Sequence, residues 1–478
     1  MLRPALVLLM LFTCSTSAAW LDRPPYHVTT KQGPDALTGG WFINLGITGV
    51  RAKLPEERPT EFEVAYIFEN TPAAGIIEPG DRIVGAGGKP FKTPHTFGYG
   101  VGKFGYHGPM KDFAAALESS QTTGTLELQI IRDDEPRVVE LNVGDRYGHF
   151  GKTYPYDCEK TDRILDEILP WLAERQKPDG TWHNRPHLNA FAALAMLGSG
   201  EERYRPHAEK AARAFAKATN DVIDYGGLDC WKYGLYGVYL GEYYLATKEE
   251  WVLDELREIN RWLEKAQMEN GGWGHRPANR PGGNGYGAIC ILTMQAKMAW
   301  ALMDKCGIEI DPVRFKAAHD FVIRGTGDNG YVWYKDGGRN NPGYADMGRT
   351  GAAAIAHGLS RSTKGYAEYA SKAAECIGTH PDTFSDTHGS PILGMVWTAL
   401  GAGVDETQFR ALMDHNRWWF SLAQCNDGTF YYQLNRDNNN QDYTAAPRLS
   451  ATAATAVILL MRDRRLELMQ LGGDFPRS

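Results

Sequence analysis

Three absences narrow the function classes open to this chain. Positive charge is not in excess, since 58 acidic residues outnumber 51 basic ones and the formal net charge is −7. A general nucleic-acid-binding protein would present a basic surface instead. CxxC cysteine pairs are absent, so a structural zinc site is not expected. Beyond the N-terminal segment, no apolar run reaches the roughly 20 residues that cross a bilayer.

The cysteines that are present are scattered along a chain of 478 residues. A chain of this length exceeds one ordinary hydrophobic core, so two or three domains are expected. A large chain does not need disulfides for stability even where they can form. We therefore expect most of the cysteines after Cys14 to be buried core thiols, namely Cys158, Cys230, Cys290, Cys306, Cys376 and Cys425.

The first 19 residues have the pattern of an export signal. Arg3 supplies the positive charge, residues 5–12 form a short apolar run, and small residues follow to Ala18 and Ala19, where cleavage is expected. The alternative is a buried N-terminal helix. The signal predicts a periplasmic or extracellular location for the mature chain.

Residues of about 40–145 are rich in β-branched residues and turns. Residues 62–67 (FEVAYI) and 126–131 (LELQII) alternate as half-buried strands do. Between them stand 70–76 (NTPAAGI), 78–84 (EPGDRIV) and 87–90 (GGKP). These segments closely resemble the signature of bacterial PDZ domains, and the resemblance covers about a fifth of the chain.

The PDZ resemblance implies a module that binds an extended peptide at a sheet edge and holds its C-terminal carboxylate on backbone amides. The best match to the carboxylate-binding loop is Leu45, Gly46, Ile47, Thr48 and Gly49, although it departs from the usual loop. Residues 93–109 form a long insertion rich in Gly, His and Tyr that could cover the groove. A docking or lid domain with the same fold is the alternative.

Residues of about 155–465 contain a repeated loop. It occurs as QKPDGTW at 176–182, QMENGGW at 267–273, GDNGY at 327–331 and QCNDGTF at 424–430, with weaker copies at 224–227 and 380–384. Each copy follows an amphipathic helical pattern and precedes one rich in small apolar residues. The spacing predicts an all-α ring, an (α/α)6 toroid of six helical hairpins, following the small β-rich domain. In the loops, Trp182, Trp273, Tyr331 and Phe430 are more readily explained as structural residues than as ligand contacts.

This repeat resembles the α/α-toroid families: terpenoid cyclases, protein prenyltransferase β chains and several polysaccharide lyases. The two-domain combination resembles an exported bacterial family without an assigned activity. The acidic DxDD motif of the cyclases is absent, and Asp229 and Cys230 are adjacent, which does not fit the zinc ligand spacing of prenyltransferases. A thioester CGEQ motif is also absent. No cofactor or metal is therefore predicted.

The predicted functional site is the mouth where the inner helices begin, because their N-terminal dipoles favour an anionic or polar ligand. The candidate catalytic residues are Asp229, His388 and Tyr443. Candidates for substrate binding are His183, Trp231, His275, Arg276, Tyr286, Arg349 and Asp442.

This set suits a lyase or hydrolase acting on an acidic polysaccharide, which needs a base and a cation near the uronate. The alternative is a non-catalytic scaffold or adaptor that binds protein C-termini through the PDZ-like module. Helix capping is an alternative role for Asp229, and also for His388 near Asp386. His357 lies on an apolar face and is expected to be a core histidine.

Overall fold

The computed structural model describes residues 42–55, 57–95, 107–223, 228–278, 287–338, 341–360, 363–385, 387, 392–431 and 446–472. A small antiparallel sheet with one helix precedes a large helical domain. Within these residues, no helix has the length and apolar character needed to cross a membrane. The six cysteines of the described chain are all buried and unpaired, as predicted.

The N-terminal sheet contains the strands that the alternating patterns predict. The elements are β1 (Phe42–Asn44), β2 (Val50–Lys53), β3 (Phe62–Ile67), β4 (Arg82–Ala86), β5 (Lys89–Pro90), α1 (Pro109–Ser120), β6 (Thr125–Arg132) and β7 (Glu135–Asn142). The strand order is β1-β2-β3-β4-β6-β7, with β5 paired to β4, and all pairs are antiparallel. Phe62 and Val64 on β3, and Leu128 on β6, are buried on the face that α1 covers.

The helical domain consists of outer helices alternating with buried inner helices. The outer helices have one exposed face, except the last, which the N-terminal domain covers. The outer helices are α2 (Glu159–Glu174), α4 (Arg205–Lys217), α6 (Trp251–Ala266), α8 (Pro312–Arg324), α10 (Tyr366–Thr379), and the consecutive α12 (Glu406–His415) and α13 (Arg417–Ala423). The inner helices are α3 (Pro186–Gly198), α5 (Asp229–Thr247), α7 (Cys290–Lys305), α9 (Gly348–Leu359), α11 (Met395–Ala402) and α14 (Pro447–Leu459).

The inner helices form a closed ring. Each packs on the next in the order α3, α5, α7, α9, α11, α14, and α14 packs back on α3 and α2. Gly351 and Gly401 let α9 and α11 approach closely, since a Cβ on either would overlap the backbone of the other helix. The six-hairpin toroid predicted from the repeat is confirmed by this packing.

The repeated loops join each outer helix to the following inner helix. Their glycines at 180, 271, 330 and 428 all have φ between +84° and +93° and press against the next outer helix. The last of them, Gly428, meets Glu167 of α2 and so closes the ring. Trp182 and Trp273 are buried and donate their indole N–H groups to Leu172 O and Leu263 O of the preceding helix. The structural interpretation of these aromatics is confirmed.

The C-terminal segment covers the end of the ring where the inner helices finish. Leu466 packs on Gly198 of α3, and Leu471 packs on Gly358 of α9. Buried Glu242 of α5 accepts hydrogen bonds from the N–H groups of Glu467 (2.9 Å) and Leu468 (2.7 Å). Burial raises the pKa of Glu242 to about 8, although these two bonds oppose the shift. The C-terminal segment thus covers the end of the ring opposite to the N-terminal ends of the inner helices.

Candidate functional site at the mouth of the ring

A small pocket of about 20 Å³ lies where four inner helices begin. That volume holds roughly one water molecule. Its walls come from the first turns of α5, α7 and α9, the approach to α11, and the loop before α9. The lining residues are Trp231, Ile291, Tyr334, Asp346, Gly348, Arg349, Leu393 and Gly394.

Trp231 and His275 form a pair at this mouth. The indole Nε1 of Trp231 donates to Nδ1 of His275 at 2.9 Å, and the two rings are tilted by 34°. Because Nδ1 accepts, a neutral His275 carries its proton on Nε2. Both residues were predicted as substrate-binding residues, and the structure brings them together.

Arg349 is held rigidly in the first turn of α9. Its guanidinium forms an ion pair with Asp346 and donates to Tyr331 Oη (2.9 Å) and Val332 O (3.1 Å). Asp346 has a left-handed backbone with φ of +55°, a conformation that aspartate adopts more readily than most residues. The mouth therefore presents a fixed cation beside a carboxylate.

His183 lies in the loop just before α3, where the side chain of Asn189 and the backbone of Arg185 hold it in place. Asn189 Oδ1 accepts from the N–H groups of Trp182 and His183, both at 2.8 Å, and His183 Nδ1 accepts from Arg185 N at 3.2 Å. The neighbouring His187 was missed by the sequence analysis, although its place in the first turn of an inner helix was a signal. Burial, together with the charge of Arg185, lowers the pKa of His187 to about 4.

Asp229 does not share the pocket with Trp231 and Arg349. It is the first residue of α5, pairs with Lys232 at 3.0 Å, and lines a separate cavity of about 120 Å³ with Tyr233 and Trp262. Residues two apart on a helix point in different directions, so Asp229 and Trp231 face different surroundings. Leu228, and not Asp229, is the N-cap residue.

The other predicted site residues divide into two groups. Arg276 is half-buried directly after His275. His388, Tyr443, Tyr286 and Asp442 lie outside the described residues. Tyr334 was missed, although it follows the repeat aromatic Tyr331 closely and is 38% exposed at the mouth. The described residues contain no cluster of three or more His, Cys, Asp or Glu side chains suited to a metal ion.

The predicted peptide-binding loop packs against the ring. Leu45, Gly46, Ile47, Thr48 and Gly49 are all buried, and helix α13 lies against this segment and against α1. A Cβ added to Gly46 would lie 2.6 Å from Ser421 O of α13. The ring therefore covers this loop, and a peptide could reach it only if α13 moved.

Glu118 of α1 links the two domains. Its carboxylate forms an ion pair with buried Lys160 of α2 and accepts from Ser421 Oγ (2.8 Å) and Phe150 N (2.9 Å). Asn426 of the last repeat loop also donates to Asn70 O at 3.3 Å. Polar bonds at several points thus fix the N-terminal domain on the ring.

Comparisons with solved structures return distant similarities. An inactive variant of the α-1,6-mannanase GH76A of Salegentibacter sp. HEL1_6, in complex with α-1,6-mannotetrose, aligns with TM-score 0.47 and 11% identity over 63% of this chain and 99% of its own. The type II terpene cyclase MstE from Scytonema aligns with TM-score 0.44 and 13% identity over 64% and 99%. Similarities this weak carry no argument about activity.

Comparison with curated proteins returned no match. A family model described as "Domain of unknown function (DUF6288)" matches residues 161–469, which include the helices α2 to α14 of the ring except the first residues of α2. Because this match spans well over half of the sequence, the chain belongs to the DUF6288 family.

Proposed function

We propose that the mouth of the ring binds an acidic polysaccharide, and that the protein cleaves it as a lyase or hydrolase. The observation that carries the proposal is the convergence of Trp231, Tyr334 and Arg349 at the N-terminal ends of the inner helices. Because the pocket between them holds about one water-sized group, a uronate carboxylate would enter it and the sugar ring would lie over its opening. Aromatic rings suit the faces of sugars, and a buried guanidinium beside helix N-termini suits a uronate carboxylate.

The proposal for catalysis is less complete than the proposal for binding. Asp229 faces the cavity beside Lys232, so we do not assign it a role next to Trp231. His388 and Tyr443 stay candidates for the proton transfers. His275, which is held by Trp231, is a further candidate.

The binding test uses purified protein and a uronate-rich polysaccharide in affinity electrophoresis. Arg349→Met should weaken binding by about tenfold or more, because it removes the only cation lining the described pocket. Arg213→Met is the matched control, since Arg213 is exposed and stacks on Trp251 of an outer helix. Equal affinities for the two variants would end the proposal that this mouth is the binding site.

The cleavage test measures the ultraviolet absorbance of the unsaturated uronate that a lyase releases, together with the reducing ends that either enzyme class releases. His388→Ala and Tyr443→Phe should abolish turnover with unchanged circular dichroism. Asp229→Asn should leave turnover intact. If the wild type releases neither product from any uronate-rich polysaccharide, the proposal of cleavage fails. The proposal of binding is then decided by the affinity measurement alone.

We also propose that the protein is exported and acts in the periplasm or outside the cell. The support is the Arg3 charge, the apolar run at 5–12 and the small residues before Ala18 and Ala19. N-terminal sequencing of the protein from its native host should begin just after Ala18 or Ala19. A mature protein that retains Met1 would contradict this.

The second candidate function is a scaffold or adaptor whose PDZ-like N-terminal domain binds protein C-termini. The observation in favour of a scaffold is the fixed docking of this domain through Glu118 and α13. The covered loop at Leu45–Gly49 weighs against the adaptor form. A C-terminal peptide array probed with the full chain decides the point, because an absence of hits above background removes the adaptor.

A further inference from the structure

Three basic side chains lie together between the inner and outer helices of the ring. Lys297 of α7 is fully buried, and its Nζ donates to Ala356 O at 3.1 Å and lies 3.4 Å from Nδ1 of His357. The imidazole of His319 on α8 meets the ring of His357 edge to face, with 5.1 Å between the ring centres. Nδ1 of His319 is buried and has no hydrogen-bond partner among the described residues. These three residues are named here the lysine cluster.

The surroundings of the lysine cluster are aromatic. Nζ of Lys297 lies 5.1 Å from the ring centre of Phe315 on α8 and 4.5 Å from that of Tyr366 on α10. Tyr366 also stacks on His319, and Tyr369 of α10 packs against both histidines. Helices α5 and α6, which also pack on α7, provide no hydrogen-bond partner, ion-pair partner or aromatic ring for Lys297 within the described chain.

These surroundings decide which member of the lysine cluster changes charge near neutral pH. Burial lowers the pKa of Lys297 to about 7. Burial, reinforced by the charge of Lys297, lowers the pKa of His319 to about 3 and also lowers the pKa of His357 well below its ordinary value. On α8, Asp320 favours the charged form of His319 and Lys316 opposes it. Both histidines are therefore neutral at about pH 6, and Lys297 is the member that titrates between about pH 6 and pH 9.

The side chains that cover Lys297 reach the surface of the protein. Phe315 is half-buried, and His319 and Tyr366 are 8% and 6% exposed, whereas Lys297 is not exposed at all. Helix α8 packs mainly on α7, whereas α10 packs on α9, α11 and α12. Separation of α8 from α7 is therefore the shortest route by which water could reach Nζ of Lys297. Proteins open locally in this way where few contacts hold an element.

We propose that α8 separates from α7 when Lys297 takes up a proton, so that this part of the ring is a pH-sensitive element. In the closed arrangement no carboxylate of the described residues pairs with the ammonium group, and in the open arrangement water solvates it. The open arrangement therefore becomes more populated as the pH falls from the ordinary lysine pKa of 10.5 towards the pKa of about 7 in the closed arrangement. The proposal does not depend on the proposed function of the mouth.

The test measures hydrogen exchange of the α8 amides in the purified protein by mass spectrometry, with rates corrected for the intrinsic dependence of exchange on pH. Helix α4 is the internal control, because it is also an outer helix of 13 residues. Between about pH 9 and about pH 6, the population of the open form of α8 should increase by about tenfold or more. Exchange in α4 should change by less than about threefold over the same range. This comparison within the wild type does not depend on any variant.

Two variants assign the effect to Lys297. Lys297→Met keeps the length of the side chain without its charge and should remove the dependence of α8 opening on pH. Lys305→Met, at the half-exposed end of α7, should keep the wild-type dependence. Circular dichroism checks that each variant folds. The proposal is overturned if exchange in α8 does not change with pH or if Lys297→Met responds as the wild type does. It is also overturned if α4 and α8 change equally, because the opening is then global unfolding.

Discussion

Lys297 is a lysine in the middle of the ring core. Its Nζ donates to Ala356 O at 3.1 Å and lies 3.4 Å from Nδ1 of His357 and 4.5 Å from the ring centre of Tyr366. Among the described residues no carboxylate pairs with it. Burial therefore lowers the pKa of Lys297 to about 7. His357 is itself buried, which confirms the prediction of a core histidine, and burial lowers its pKa.

The Lys297→Met variant should alter how stability depends on pH. The folded pKa of about 7 lies below the ordinary value of 10.5, so between these values the unfolded chain binds a proton that the folded chain does not. The free energy of unfolding of the wild type therefore rises as the pH rises from about 7 to 10.5. This contribution of Lys297 is lost as the pH falls back through the window to about 7. At about pH 6 the variant should be more stable than the wild type by roughly 2–4 kcal/mol.

Urea unfolding measured between about pH 6 and pH 9 checks this, and the difference between the two proteins isolates Lys297 from other titrating groups. Lys305→Met, at the half-exposed end of the same helix, should keep the wild-type dependence. Parallel pH curves for Lys297→Met and the wild type would contradict the assignment.

At the scale of elements, the repeated loops decide how the hairpins fit together. Gln176 Nε2 donates to His207 O on α4, and Gln267 Nε2 makes the same bond to Arg314 O on α8. Thr293, Thr350 and Thr452 on inner helices each accept the N–H of a loop residue. One loop thus bonds to three helices, which explains why its sequence recurs although the helices around it differ.

The Gly271→Ala variant tests how closely one such loop approaches helix α8. Gly271 has φ of +93°, and an added Cβ would overlap the Ala317 carbonyl of the next outer helix. Gly337 is a matched control with φ of +95° and nothing within 4 Å of its added Cβ. We expect Gly337→Ala to cost about 1–2 kcal/mol from backbone strain alone. Gly271→Ala should cost roughly 2 kcal/mol more because the backbones must move apart.

The urea midpoints of the two glycine variants give this difference directly. Equal losses would mean that the loop accommodates the methyl group and that the approach to α8 is not tight.

At the scale of the whole molecule, the N-terminal domain is a fixed part of the protein. The burial of Leu45–Gly49 under α13 and the bonds of Glu118 to Lys160 of α2 and Ser421 of α13 join the two domains. This docking places the domain beside the sixth hairpin, where Asn44 also contacts Cys425 at 3.7 Å.

Lys160→Met should weaken the docking of the N-terminal domain on the ring. It leaves the Glu118 carboxylate without its cation in a largely buried site, at a cost of about 2–3 kcal/mol. Hydrogen exchange of the amides at 45–49 should then accelerate. Lys53→Met removes a half-exposed pair with Glu63 and should cost less than about 1 kcal/mol.

Mass spectrometry of deuterium uptake compares the two lysine variants with the wild type. Unchanged protection at 45–49 in Lys160→Met would show that the domains stay docked without this ion pair.

The ring was predictable because its signal is local. A left-handed glycine, a buried aromatic and the apolar faces on either side are properties of short segments, and their recurrence at hairpin spacing implies a closed array. The strands of the N-terminal sheet were predictable for the same reason. The residues of the mouth were partly predictable. Trp231, His275 and Arg349 come shortly after repeated loops or at the starts of inner helices, which places them at that end of the ring.

What the sequence by itself determined is the two-domain order, the six hairpins and the end of the ring where polar residues gather. Only the tertiary structure decided that Asp229 faces Lys232 and an outer helix instead of the mouth, and that α13 covers the loop at Leu45–Gly49. It also decided that Lys297 is buried with no carboxylate of the described residues paired to it. The reason is physical: each of these outcomes depends on contacts between segments far apart in the chain. Local periodicity specifies which face of a helix is buried. It does not specify which side chains of other segments pack against that face.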